Sequence, residues 1–290
     1  MSTIAYLGPE NTNTHVAAQA RFGRRGEYRH APTVDEVFHL VERRQADCGV
    51  VPIENSLEGA VTHTLDRFID FLDTPVKIQG EIEQPIQHYL ILEPKTVLEQ
   101  IRVVCSHPQA LGQCREWLQK TLPRAFFVET RSTAEAVGHL RKPPTALEPY
   151  QERHELAAVG RQDSAKEHRL RAIRVPQDRD NKTRFLIIGL GEPPKGRRNK
   201  TSIVMALSDR PGALYDALTP FKRERINLTK IESRPSRRKA WEYFFFIDLE
   251  GHESEPRVRR ALAALEDGPA EFVRVLGSYP VTAPRRAMAT

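Results

Sequence analysis

Cysteine is scarce in this chain: Cys48, Cys105 and Cys114 are the three in 290 residues. Their odd number and lack of paired spacing exclude a disulfide framework and a zinc site built on CxxC pairs. Cys48 and Cys105 sit in strand-like apolar runs and Cys114 on the apolar stripe of a helix, positions for buried, inert thiols. The ten histidines include no HExxH or comparable ligand spacing, so no metal and no cofactor is expected. Long hydrophobic runs are absent as well; none approaches the roughly 20 residues that span a bilayer. The N-terminus enters a strand pattern without the basic and apolar segments of a signal peptide, so a cytoplasmic protein with no membrane partner is expected.

Positive charge is in excess, with a formal net charge of +6. The densest basic runs, 195–200 and 234–239, fall in a linker and in a strand-to-strand loop. The first lacks aromatic residues for base stacking and neither lies on a groove-reading helix, so a solvated basic surface is expected and no nucleic-acid partner. Such a field favours the approach of a small anion.

A hydrophobic content of 39% over 290 residues supports two domains with cores of their own. Up to residue 190 strand-like and helix-like segments alternate. Thr33 and Glu36 form a capping pair ahead of Val34, Val37, Phe38 and Val41, which share one helical face. Val61, Leu65, Phe68, Ile69 and Leu72 make a second stripe, and Ala110, Leu111, Cys114, Trp117 and Leu118 a third. Ser132 with Glu135 caps a fourth helix. Strands covered by helices on both sides predict a mostly parallel sheet. The run from Val76 to Leu92 breaks the rhythm, being long, extended and interrupted by Pro85, as a segment crossing between two lobes would be. Residues 191–200 read as a linker. Beyond it the order is strand 201–207, helix 213–223, strands 228–233 and 241–249, helix 255–265 and strand 272–276, the ferredoxin-like βαββαβ pattern over 201–280. Residues 281–290 read as a tail.

Four polar clusters punctuate the first part: Gly8-Pro9-Glu10, Pro52-Ile53-Glu54-Asn55-Ser56, Ser106-His107-Pro108-Gln109 and Asn181-Lys182-Thr183-Arg184-Phe185. The first three follow apolar strand-like runs, the place where an α/β protein holds a small polar ligand. Taken singly they stay open. Glu54, Asn55 and Ser56 fit an N-cap cluster as well as a cleft. Arg184 offers a fork to a ligand carboxylate or a salt bridge at a strand end. Gln113 by itself reads as a surface residue, and His107 before Pro108 as structural. The helix start after Ser106 presents free N–H groups suited to a carboxylate.

Read together, the four clusters closely resemble the prephenate dehydratase family, and residues 201–280 resemble the ACT regulatory domain. The resemblance runs from Ile4 to Pro280. It implies a two-lobed α/β catalytic domain over 1–190, periplasmic-binding-protein-like with a cleft between the lobes, followed by the ferredoxin-like ACT domain. The chain would cross near residues 80–92 and return near 170–188. It implies conversion of prephenate to phenylpyruvate, carbon dioxide and water, with Thr183 assisting departure of the ring hydroxyl and Arg184, Asn55, Ser106 and Gln113 as its catalytic companions. Thr12, Thr14, Glu54, Ser56 and Phe185 would contact substrate. In the ACT domain, Gly212, Ala213 and Leu214 of one copy and Asn227, Glu232 and Ser233 of another would bind L-phenylalanine, which implies feedback control and a homodimer or homotetramer. With no helical chorismate-mutase segment ahead of Ile4, a monofunctional enzyme is expected. Arogenate dehydratase is the nearest alternative, and a catalytically silent two-lobed binding protein with an amino-acid sensor is another.

The chain departs from the family wording at four places. Asn11 stands in a turn where the family usually has glycine, and it tolerates a left-handed conformation. Asn13 replaces an aromatic body with a short amide, which is expected to change the pocket wall. Residues 141–155 are charged and proline-containing, and Arg169 stands where a helix-ending glycine is common.

Overall fold

The computed structural model describes residues 2–23, 25–70, 74–147, 150, 152–176, 181–193, 195–236 and 242–281. The first lobe is built from β1 (Thr3–Leu7), α1 (Asn13–Phe22), β2 (Glu27–Ala31), α2 (Val34–Glu42), β3 (Cys48–Asn55), β4 (Gly59–Ala60), α3 (Thr62–Asp70) and β5 (Val76–Pro85). The second holds β6 (Tyr89–Leu92), β7 (Val103–Ser106), α4 (Pro108–Thr121), β8 (Phe126–Glu129), α5 (Thr133–His139), β9 (Leu156–Gly160), α6 (Gln162–Glu167) and β10 (Arg171–Arg174). The chain then returns to the first lobe as β11 (Lys182–Leu190). The C-terminal unit comprises β12 (Asn199–Leu207), α7 (Ala213–Arg223), β13 (Leu228–Pro235), β14 (Tyr243–Glu250), α8 (Pro256–Glu266) and β15 (Ala270–Pro280).

Local chemistry starts the helices around the cleft. Thr12 Oγ1 accepts from His15 N, Thr33 Oγ1 from Glu36 N, and Ser132 Oγ from Glu135 N, each satisfying a free amide of a first turn. His107 caps α4 through its ring nitrogen, with Pro108 at the first helical position. The expected stripes are buried: Val34, Val37, Phe38 and Val41 on α2, and Leu65, Phe68 and Ile69 on α3. Leu72 of the second stripe lies outside the described residues.

The sheets correct one expectation. Their strand orders are β2-β1-β3-β11-β5 and β10-β6-β9-β7-β8. The pairs β1–β2, β1–β3, β7–β8 and β7–β9 are parallel, while β11 pairs antiparallel with β3 and β5, and β6 with β9 and β10. Each sheet is therefore mixed, because the strands that cross between lobes enter against the direction of the βα units.

The C-terminal sheet, β13-β14-β12-β15, is antiparallel throughout. Its strands alternate sides. Ile203 and Met205 pack with Ala217, Phe221 and Val258 of α7 and α8. Val204, Ala206, Phe244, Phe246 and Leu276 instead join Val51, Phe68, Ile78, Leu186 and Ile188 in a core shared with the first lobe. The backbones come close enough that a Cβ on Gly277 would stand 2.2 Å from Ile78 O, so glycine is required there. This docking also shortens the expected linker: Asn199 and Lys200 are buried in β12, where Lys200 Nζ meets Glu81 at 2.8 and 2.9 Å. A lysine that reads as part of a solvated basic run is neutralised by a buried carboxylate distant in sequence.

Candidate active site

A cleft of 320 Å³ opens between the lobes. On one side it is walled by the ends of β1 and β3, the start of β11 and the start of α1, and on the other by the starts of α4 and α5. Among the described residues that line it there is no carboxylate.

A chain of amides runs along its floor, and the backbone sets its polarity. Asn55 Oδ1 accepts from the N–H groups of Leu57 (3.0 Å) and Glu58 (3.3 Å), so its Nδ2 must face the other way. That Nδ2 donates to Asn181 Oδ1 at 2.8 Å and to Thr183 Oγ1 at 3.0 Å. Asn181 Nδ2 in turn donates to Gln113 Oε1 at 2.7 Å, and His88 Nε2 meets the same oxygen at 2.7 Å. Since Gln113 Oε1 can only accept, His88 carries its proton on Nε2. Burial holds the His88 imidazole below its ordinary range, Arg161 adds to that, and the hydrogen bond to Gln113 opposes it. Gln113 Nε2 donates to Glu58 at 2.5 Å, which ties α4 to the β3–β4 turn across the cleft.

The consequence falls on Thr183. One lone pair of its oxygen is occupied by Asn55, so the hydroxyl proton is left for the cleft that Thr183 lines. A hydroxyl that accepts one hydrogen bond is polarised as a donor in the next. Phe185, 1% exposed, supplies an apolar wall beside it.

Strand geometry separates these residues from Arg184. Side chains alternate along β11, so Thr183 and Phe185 face the cleft and Arg184 the opposite side. The pairing is Thr183 with Asn55, Arg184 with Glu54 and then Phe185 with Pro52, so Ile53 is an extra residue. This bulge lets Pro52 and Asn55, three apart, both line the cleft while Glu54 stays on Arg184's side.

The structure places four of the expected site residues away from the cleft lining. Arg184 is engaged on the other side of its strand: its guanidinium meets Glu54, Glu81 at 3.3 Å and Asp248 of β14 at 3.0 Å. Burial alone would make Arg184 easier to deprotonate, but these three carboxylates outweigh it and hold its proton more firmly. Glu54 is ion-paired to Arg184 and to Lys230 at 3.2 Å; burial raises its carboxyl, and the two cations outweigh that and lower it. Ser106 is fully buried and donates to Val159 O at 2.7 Å, fastening β7 to β9 behind the cleft wall. Ser56 Oγ accepts from Lys182 N at 3.0 Å and holds the start of β11. The strand-end positions are right in each case; a strand's two faces lead to different compartments, and that choice is not local.

Thr12, Asn13 and Thr14 all line the cleft. Thr12 Oγ1 is engaged in the turn, donating to Pro9 O at 3.0 Å, so it shapes the wall more than it offers a free donor. Asn11 takes φ +62°, the left-handed conformation expected of it, and Arg169 does the same at +54°. Asn13 is held by Arg161 from the other lobe at 2.9 Å. His88 and Arg161 carry no sequence signal, since each looks like a lone polar residue beside an apolar strand. The thiols are buried as expected for Cys105 and Cys114, with Cys48 partly so; burial pushes Cys48 and Cys114 up to about 12 and Cys105 to about 11.

A second cavity of 260 Å³ lies at the N-terminus of α7 and is lined by Asp209, Arg210, Ala213, Leu214, Tyr243 and Phe245, among others. Gly212 precedes the helix at φ +82°, a conformation that favours glycine. Asn227, Glu232 and Ser233 do not line this cavity; Glu232 and Ser233 lie on β13, the edge strand of the sheet.

Comparison with known proteins gives the chain its relatives. A family model described as prephenate dehydratase matches residues 4–193, and one described as ACT domain matches 201–267. The bifunctional chorismate mutase/prephenate dehydratase of Aquifex aeolicus is 45% identical over 279 residues, covering 96% of this chain and 73% of its own length. Prephenate dehydratase of Amycolatopsis methanolica is 39% identical over 287 residues, covering 96% and 88%. The crystal structure of prephenate dehydratase from Arthrobacter aurescens in complex with L-Phe superposes with a TM-score of 0.84 at 33% identity, over 96% of this chain and 89% of that one. With the two-lobed cleft, the strand-end threonine and the docked ferredoxin-like unit, these matches lead to one conclusion: the chain belongs to the prephenate dehydratase family and carries an ACT domain.

Proposed function

We propose that the protein is a prephenate dehydratase, converting prephenate to phenylpyruvate, carbon dioxide and water under control by L-phenylalanine. In this reaction the bond from ring to carboxylate breaks, its electron pair completes the aromatic ring, and the bond to the ring hydroxyl breaks in turn. The departing oxygen gathers negative charge and leaves as water after protonation from solvent. Aromatisation drives the reaction, so the site's task is to hold the substrate and stabilise the leaving oxygen.

The observation that carries the mechanism is the bond from Asn55 Nδ2 to Thr183 Oγ1, which leaves the threonine proton as a donor toward the leaving hydroxyl. A threonine is too weak an acid to give its proton away outright, so its role is a hydrogen bond that strengthens as charge develops. Asn181 and Gln113 hold Asn55 in register, His88 holds Gln113, and Phe185 keeps the ring against an apolar surface. The absence of carboxylates among the described lining residues suits a dianionic substrate. Incubating the protein with prephenate and following phenylpyruvate tests the reading; no product at any enzyme concentration would reject it.

For regulation, we assign the α7 turn at Gly212, Ala213 and Leu214 to one half of the phenylalanine site. Asn227, Glu232 and Ser233 of a second copy would form the other half in a homodimer or homotetramer. The exposed edge of β13 and its exposed Ile231 support a role in pairing. Phenylalanine should then raise dimer stability by linkage and slow turnover. Glu232→Ala should weaken inhibition and spare the uninhibited rate; calorimetry without a phenylalanine heat would end this assignment.

A further inference from the structure

Asn13 lies in the first turn of α1 and lines the cleft. Arg161, which follows β9 in the other lobe, donates Nη1–H to Asn13 Oδ1 at 2.9 Å. A guanidinium has donors only, so the amide oxygen must face it, and the two Nδ2–H donors are what Asn13 has left to offer. Among the described residues no acceptor takes them. A second cross-lobe bond, from Asn11 Nδ2 to Glu167 Oε2 at 2.5 Å, keeps the same two elements in register.

The charge behind Asn13 is poorly compensated. Arg161's side chain is 14% exposed, and its Nε has no hydrogen-bond partner among the described residues. Its carboxylate neighbour, Asp163, lies 3.4 Å away and is 64% exposed, so water screens most of that attraction. Arg184, equally buried, has three carboxylates on it. The cleft thus has at this wall an amide donor backed by a cation, and no lining carboxylate among the described residues to receive an ammonium.

We propose that Asn13, oriented and backed by Arg161, is a specificity-determining contact that takes the oxo oxygen of a 2-oxo acid side chain and rejects the ammonium of the matching 2-amino acid. The cleft then uses prephenate and discriminates against arogenate; this rests on the dehydratase reading above. An oxo group accepts the amide's hydrogen bond. An ammonium has only donors to set against donors, and its charge repels the guanidinium behind them. Arg161 is a positioning residue and touches the substrate only through Asn13.

The test is kcat/KM for prephenate and for arogenate, with the full chain and three variants. Wild type should favour prephenate by about 100-fold or more, the scale on which an unmet polar contact discriminates. Asn13→Asp keeps the partner for Arg161 but presents an acceptor, and should shrink that ratio at least about tenfold. Arg161→Gln should shrink it as well while Arg161→Lys retains it, a pattern that a merely structural role would not produce. Equal use of both substrates by wild type, or variants that change both in the same proportion, overturns the proposal. Should wild type turn over neither compound, the dehydratase reading fails, and equilibrium binding decides this one. Tighter binding of prephenate that Asn13→Asp reverses sustains it, and equal binding overturns it.

Discussion

The two faces of β11 do opposite things with polar groups. Toward the cleft, Thr183 belongs to a network of neutral amides and an imidazole anchored at its far end on the Glu58 carboxylate, with a donor left over for a ligand. Toward the C-terminal sheet, Arg184 is enclosed by Glu54, Glu81 and Asp248, and Glu81 is shared with Lys200. A satisfied network of charges is a fastening, since no group is left to bind anything else. Neutral amides can be pre-oriented at modest desolvation cost, which is what a transition-state donor needs. In the proposed mechanism, adjacent residues of one strand then serve chemistry and assembly separately. They place the ACT sheet one residue away from Thr183, a short mechanical path between that sheet and the cleft.

The largest break in this comparison should come from Arg184→Met. It removes the guanidinium that Glu54, Glu81 and Asp248 share at a buried interface and should cost about 3–5 kcal/mol in urea unfolding. Unchanged stability with a raised KM would instead return Arg184 to the substrate. Next is Thr183→Ala, expected to lower kcat by about 100-fold, on the order of 2.7 kcal/mol, without moving the unfolding midpoint. Near-normal turnover would remove Thr183 as the leaving-group donor. Ser106→Ala should cost about 1 kcal/mol of stability through the lost bond to Val159 O and leave turnover unchanged. A collapse of kcat there would restore Ser106 to the cleft.

The smallest effect concerns pH. His88 has its pKa depressed in the folded state, so the unfolded chain binds its proton more readily. The stability contributed by neutral His88 is complete above the unfolded value of about 6.5 and is lost as pH falls through the lower folded value. His88→Gln should flatten unfolding free energy against pH in that window, and an unaltered slope would mean that another group sets it.

Much of this architecture was legible because its causes are local. Thr33 with Glu36 and Ser132 with Glu135 announce helix starts because an N-cap acts within three residues. The strand-end clusters hold Thr183 and Asn55, and the family resemblance adds Gln113; the fold brings all three to one cleft. The same resemblance put Arg184, Glu54, Ser56 and Ser106 there, because proximity in sequence to a strand end says nothing about which way a side chain points once the sheet has formed. Lys200 was read as a linker charge because Glu81, its partner, is 119 residues away.

By itself, then, the sequence determined the order of elements, the caps, the hydrophobic stripes and the set of strand ends where chemistry could occur, since each depends on spacing over a few residues. Only the tertiary structure decided the direction of the crossing strands, the extra residue at Ile53, the pairing of Asn13 with Arg161 and the burial of Arg184 against the ACT sheet. Those depend on which distant segments lie side by side, and a hydrogen bond or ion pair has no identity until both partners are in place.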